Sequence, residues 1–339
     1  MQHQSQHQSQ HQSQHQKKIA LVLGATGGIG NAMAQKLLQR GWQVRALHRR
    51  ADQMVAAERA SGRNSGIAWR QGDAMQEADV IAAADGAAII VHAVNPPGYR
   101  NWAELVMPMI ENSIAAARIS GARIVLPGTV YNYGADAFPD LQETSPQNPS
   151  TRKGAIRVRL EQRLRTAAQS GVRTLVVRAG DFFGPHMANS WFSQGMLKPG
   201  QPVTAVTYPG KRGIGHQWAY LPDVAETMVQ LIEREEALAA FDSFHMNGHW
   251  DADGTQMVAA IGRVTGQAAL KVKSFPWWLL PLAAPFLPVM RELREVGYLW
   301  RQPLRMDNRR LLKLLGAEPH TGWDEAVHST LAGMACIKK

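Results

Sequence analysis

At 339 residues, with 45% hydrophobic and 19% charged side chains, the chain exceeds one average domain yet keeps a globular balance, which excludes a disordered or fibrous protein. The formal charge of +10 is spread along the sequence without a recognised nucleic-acid motif, so nucleic acid is not an expected partner. The single cysteine, Cys336, excludes an intramolecular disulfide and a cysteine metal cluster, and a reducing, cytoplasmic setting fits that usage.

Residues 1–17 contain a repeated four-residue unit that places His3, His7, His11 and His15 at a fixed period, the mark of an expression tag or a disordered tail. The apolar run Ile19–Leu23 then predicts a strand, followed by the turn Gly24-Ala25-Thr26-Gly27-Gly28-Ile29-Gly30. A helix is expected over Asn31–Arg40, where Met33, Leu37 and Leu38 have helical spacing, with Gly41 as its stop. Gln43–His48 completes a βαβ unit. Further strands are expected at 66–70, 87–93, 123–127 and 174–178, with helices over 102–120 and 153–170. This alternation predicts an α/β fold, a doubly wound parallel sheet (Rossmann) over 18–182. A smaller C-terminal substrate lobe built from discontinuous segments is expected over 183–339, with 215–245, including a helix at 221–234, returning to the first domain. The stretch 275–290 is interrupted by Pro276, Pro281, Pro285 and Pro288, so it reads as a lid or a hydrophobic lobe and no membrane partner is expected. Trp191, Trp250, Trp277, Trp278 and Trp300 are candidates for lining a pocket, with core filling as the alternative.

A strand that feeds glycines 24, 27 and 30 and then a helix has the context of a dinucleotide fingerprint. Gly24, Thr26, Gly27, Gly28, Ile29 and Gly30 are expected to cradle a pyrophosphate at the helix N-terminus. Where an acidic residue would bind the ribose 2′-hydroxyl, the second strand ends in His48-Arg49-Arg50, and cations there favour the 2′-phosphate of NADP(H). Asp73-Ala74 follows the third strand at the adenine edge, although a plain turn aspartate reads equally well. Ala93-Val94 follows the fourth strand, where small residues let the cofactor ribose approach. Arg152, Lys153, Arg157, Arg159, Arg163 and Arg165 cover much of one helix's circumference and read as a solvated face, with an anionic ligand as the alternative.

These segments resemble the short-chain dehydrogenase/reductase superfamily, in its extended and atypical branches of the NAD-dependent epimerase/dehydratase type. The resemblance runs over nearly everything from Lys18 onward and includes Thr129-Val130-Tyr131-Asn132-Tyr133-Gly134, Arg178-Ala179-Gly180-Asp181-Phe182-Phe183-Gly184-Pro185 and Trp218–Ala225. It implies that Asn112 is the family's structural asparagine in the active constellation, that Thr129 orients substrate, and that Arg178 and Lys153 border the cofactor. The family's tyrosine, with a lysine four residues on and a glutamate four beyond, is replaced: alignment on Glu161 puts Lys153 and Arg157 at those positions. Lys153 can donate a proton or hold an anionic substrate, Arg157 can supply charge near the nicotinamide ribose, and Tyr131 or Tyr133 can stand in for the lost acid. The function implied is an NADP(H)-dependent oxidoreductase acting on a carbonyl or hydroxyl of a small substrate. The alternatives are a sugar-nucleotide epimerase/dehydratase and a non-catalytic NADP(H)-sensing regulator. A homodimer through Ser113–Ala117 and the 153–170 helix follows from the same resemblance. No metal is expected, since His216, His245, His249 and His320 show no recognised ligand spacing.

Overall fold

The computed structural model describes residues 18–62, 64–96, 101–283 and 294–338. The expected tail at 1–17 and the part of the proline-interrupted stretch beyond 283 lie outside the described residues. In chain order, the first half comprises β1 (Ile19–Leu23), α1 (Gly28–Gln39), β2 (Gln43–His48), α2 (Ala51–Ala60), β3 (Ile67–Gln71), α3 (Glu77–Ala83), β4 (Ala87–His92), α4 (Trp102–Ser120), β5 (Arg123–Gly128) and β6 (Asp140–Leu141). There follow α5 (Arg152–Gln169), β7 (Thr174–Arg178), β8 (Asp181–Phe183), β9 (Ala205–Tyr208), β10 (His216–Tyr220), α6 (Leu221–Glu233) and β11 (Phe241–His245). The last part holds β12 (His249–Asp251), α7 (Gln256–Val264), β13 (Lys271–Ser274), α8 (Leu280–Ala283), β14 (Arg305–Met306), α9 (Arg309–Leu315) and α10 (Trp323–Gly333).

The main sheet has seven strands in the order β11-β7-β5-β4-β1-β2-β3, every pair parallel. Strands such as β5 and β7 are buried along their whole length because helices cover both faces. One face packs Met33 and Leu37 of α1 with Val224, Met228 and Ile232 of α6. The other packs Val80 of α3, Ile110 and Ile114 of α4, and Leu160 and Leu164 of α5. The α1–α6 pair is tied at its rim by Lys36 to Glu226 (3.2 Å) and Arg40 to Glu233 (2.5 Å).

The remaining segments form a second lobe. It contains the three-stranded sheet β12-β10-β8 and the pairs β13-β9 and β14-β6, over a core that includes Val130, Phe183, Trp191, Trp218, Trp300 and Leu331. The return to the main sheet is made by α6 and β11, whereas β10 belongs to the lobe. Ser113, Ile114, Ala116 and Ala117 are buried within the chain, while Ala115 is half-buried and Arg118 and Ile119 are exposed. No described helix is long and apolar enough to cross a membrane.

The helix α1 starts at Gly28, three residues before the expected Asn31, so the glycine turn itself supplies the first helical turn. That is sterically possible only without side chains: a Cβ on Gly30 would lie 2.1 Å from the Gly24 carbonyl oxygen. Gly30→Ala is therefore expected to lose roughly 1–3 kcal/mol of stability. Gly322→Ala, at φ −60° with open space around it, should be near neutral. Thermal melts of the two variants check this, and equal melting temperatures would contradict it.

Candidate functional site

The site is assembled at the carboxyl ends of β1, β4 and β5, which lie side by side in the sheet. Gly24, at φ +88°, leaves β1 so close to the next strand end that a Cβ would sit 2.6 Å from the Ala93 oxygen and 2.8 Å from the Val94 nitrogen. Ala93 N donates to Leu23 O (3.0 Å), Gly27 N to Gly24 O (2.9 Å) and Asn31 N to Gly27 O (2.8 Å), fixing the turn. Thr26 and Gly27 are exposed and Gly28 and Ile29 half-buried, so the helix start with its unsatisfied N–H groups is open to a ligand. The loop after β8 crosses over this start: a Cβ on Gly28 would meet Met187 Sδ at 2.2 Å and Leu221 Cδ1 at 3.1 Å. Nothing in the linear pattern marks Met187 as part of the site.

At the end of β2 the Gln71 amide clamps the backbone, donating to Arg49 O (2.5 Å) and accepting from Ala51 N (3.0 Å). The Arg49 and Arg50 side chains stay exposed, and His48 Nδ1 accepts from Arg50 N (3.1 Å). Asp73 behaves as a turn residue, since its Oδ1 accepts from Met75 N (3.0 Å). Asn112 reaches from α4 to donate to Ala74 O (2.9 Å). This bond ties α4 to the loop after β3.

Thr129 caps a short 3-10 turn, its Oγ1 accepting from Tyr131 N (3.2 Å). The first turn of α5, capped by Thr151, presses on that segment: a Cβ on Gly154 would lie 2.2 Å from the Tyr131 oxygen. The fold therefore brings the Thr129 segment and the Lys153 turn together. Lys153 is only 5% exposed, which overturns the reading of this helix as a uniformly solvated basic face. Arg152, Arg159 and Arg165 are exposed, Arg163 is bound to both oxygens of Glu111 (2.6 and 2.8 Å), and the half-buried Arg157 guanidinium lies 5.1 Å from the Trp102 ring centre.

Arg178 departs from its expected cofactor contact. It is 1% exposed and its guanidinium pairs inside the protein with both oxygens of Glu161. Beside it the Tyr133 hydroxyl meets His245 Nε2 at 2.8 Å, and burial pushes Tyr133 up to about 12. Tyr133 is thus enclosed and does not replace the lost acid; Tyr131 is half-buried on the Thr129 segment. His92, at the end of β4, is buried against Ser113 Oγ (2.8 Å).

In the lobe, Trp191 packs against Trp300 (5.3 Å between ring centres) and Trp277 (5.7 Å), filling a core, whereas Trp278 is exposed. His216 stacks on Trp300 at 3.6 Å and meets Asp181 Oδ2 at 2.9 Å, a cluster that no sequence pattern announced because its members come from three distant segments. A groove of about 930 Å³ lies between α7 and β13, lined by Tyr208, Lys211, Val258 and Lys273 among others, and none of its lining residues belongs to the strand-end cluster.

Burial, reinforced by Arg157, holds His92 down at about 3, and burial with Arg178 does the same to His245. Both stay neutral in the folded state while the unfolded chain takes up protons below about pH 6.5. Their stabilising contribution is complete above that pH and is lost as pH falls toward 3. Each is expected to reduce stability by up to about 1.4 kcal/mol per pH unit in that window. Urea midpoints at pH 7 and pH 5 measure this, and a midpoint independent of pH would refute it.

The NAD dependent epimerase/dehydratase family matches residues 20–246. Comparison with curated proteins finds no match in sequence. Among solved structures, UDP-glucose 4-epimerase from Bifidobacterium longum, in complex with NAD+ and UDP, superposes with a TM-score of 0.70 at 14% identity, covering 94% of this chain and 100% of that one. UDP-glucuronic acid 4-epimerase from Bacillus cereus, in complex with NAD, gives 0.70 at 13% identity over 95% and 100%. WbmH from Bordetella bronchiseptica, in complex with NAD+, gives 0.65 at 17% identity over 94% and 98%. At these identities the likeness establishes the fold.

Proposed function

From the premise that the chain belongs to the NAD dependent epimerase/dehydratase family, we propose that it binds a nicotinamide dinucleotide along Gly24–Gly30 and moves hydride at a carbinol or carbonyl carbon of a sugar nucleotide. The observation that carries the proposal is the convergence at one sheet edge of a side-chain-free cradle, Gly24 against Ala93-Val94, and of the Thr129 segment against the first turn of α5. The cradle fits the group, since Cβ atoms at Gly24 and Gly30 would close the turn whose amides face the open helix start. When bound, the nicotinamide supplies the carbon that accepts and returns hydride.

The residues of this chain do the rest. Backbone N–H groups at the start of α1 hold the pyrophosphate, and the exposed Arg49 and Arg50 hold a 2′-phosphate, which makes NADP(H) the preferred form. Asn112 keeps the Ala74 loop in place at the adenine end. Thr129 Oγ1 orients the substrate oxygen. Lys153, standing where the family has tyrosine, takes the hydroxyl proton through its neutral amine when hydride leaves a carbinol carbon and, as the ammonium, returns it when hydride comes back to the carbonyl; Arg157 adds charge beside it.

A second reading is an NADP(H)-dependent oxidoreductase for a small, more apolar carbonyl or hydroxyl compound. Both readings share the hydride step and differ in substrate, so turnover on UDP-sugars against a panel of aldehydes, ketones and quinones separates them. Tight cofactor binding without any turnover would favour a regulatory sensor instead.

Two outcomes are expected. Arg49→Glu should weaken NADPH at least roughly tenfold, or about 1.4 kcal/mol, more than it weakens NADH. Equal losses in a binding titration would remove the NADP(H) preference. Lys153→Met should lower kcat by roughly 10²–10⁴-fold while the NADPH dissociation constant stays nearly unchanged. An unaltered kcat would remove Lys153 from the chemistry.

A further inference from the structure

We propose that Asp223, His249 and His320 form a binding site for a divalent transition metal ion of the zinc class, joining the start of α6 to the second lobe. One ligand atom from each of the three lies within 4.8 Å of those of the other two. They come from separate elements: Asp223 from the first turn of α6, His249 from β12, and His320 from the segment between α9 and α10. His249 and His320 also lie beyond residue 246, where the family match ends.

Asp223 and His249 are 8% and 1% exposed, so two ligands are held in the interior, while His320 is exposed and borders the site on its solvent side. The two imidazoles already stack, 4.4 Å between ring centres. His249 Nε2 lies 2.7 Å from the Thr321 carbonyl, to which it donates; that tautomer leaves the lone pair on Nδ1, which is buried without a hydrogen-bond partner among the described residues. Orientation of one ring nitrogen by a carbonyl, with a lone pair left on the other, is the arrangement of a metal-ligating imidazole. Asp223 accepts from Thr321 N (2.8 Å) on Oδ2 and from Thr321 Oγ1 (2.7 Å) on Oδ1, and each oxygen keeps a further lone pair. Two imidazoles and one carboxylate suit zinc-class ions better than calcium or magnesium, and three protein ligands leave a fourth position for water.

The test uses the full chain with His3, His7, His11 and His15 replaced by Gln, because those side chains would bind the same ions. Cobalt(II) is titrated as a spectroscopic probe and zinc as the stabiliser in thermal melts. One equivalent of cobalt with a tetrahedral visible band, and a melting temperature raised by zinc, are expected. His320→Ala, an exposed substitution, should leave the metal-free melt unchanged and weaken cobalt binding at least roughly tenfold. His320→Cys should restore binding with a sulfur-to-cobalt charge-transfer band. Absence of the band in the tail-substituted protein, or equal affinity in His320→Ala, overturns the proposal.

Discussion

Backbone touches backbone at the head of β1, and the rest of the molecule is arranged around that contact. The Gly24 carbonyl accepts from Gly27 N and leaves no room for a Cβ at position 30, while the Gly24 Cα lies against Ala93 and Val94. Helix α1 is thereby aimed from its first residues, which belong to the turn itself, and the end of β4 is held beside it. The open N–H groups of α1 gain value from the same contact, since a helix N-terminus binds an anion only where its amides are reachable. Met187 and Leu221 approach Gly28 from the other side, so the turn also fixes where the second lobe meets the sheet.

Charge in this region is divided by burial. On α5 the inward Glu161 pairs with Arg178 of β7, and that pair sits beside the Tyr133–His245 contact in an interior from which water is excluded. A buried pair of this kind gains little net stability, because desolvation opposes its attraction, but removal of either partner would leave an uncompensated charge. The helix is therefore held in one rotation about its axis. That rotation buries Lys153 at the start of α5 and leaves Arg152, Arg159 and Arg165 in solvent.

The C-terminal segment closes the structure over the junction of the two parts. Glu318 accepts from Asn247 N (2.9 Å) and Gly248 N (2.6 Å), just after β11, and Thr321 binds Asp223 at the start of α6. Through these bonds the lobe is tied to the same helix start that faces the glycine turn. The lobe interior is filled with aromatic rings, among them His216 stacked on Trp300, so its shape is set by packing.

Much of the main sheet was legible from local chemistry. Apolar runs such as Ile19–Leu23, the glycine spacing at 24, 27 and 30, and the helical periodicity of Met33 and Leu37 are short-range signals, and the structure keeps them within a few residues. The basic ends of β2 and α5 were equally visible as residue types. Their environments were not: the burial of Lys153 and Arg178, the bond from Asn112 to the Ala74 loop and the burial of Ser113, Ile114, Ala116 and Ala117 depend on neighbours far away in the chain. The same holds for Asp223, His249 and His320, whose separation in sequence conceals their closeness in space. Sequence alone determined the strand–turn–helix cradle, because glycine's missing Cβ acts locally. Only the tertiary structure decided which charges are spent inside the protein, because desolvation is a property of the whole packed fold.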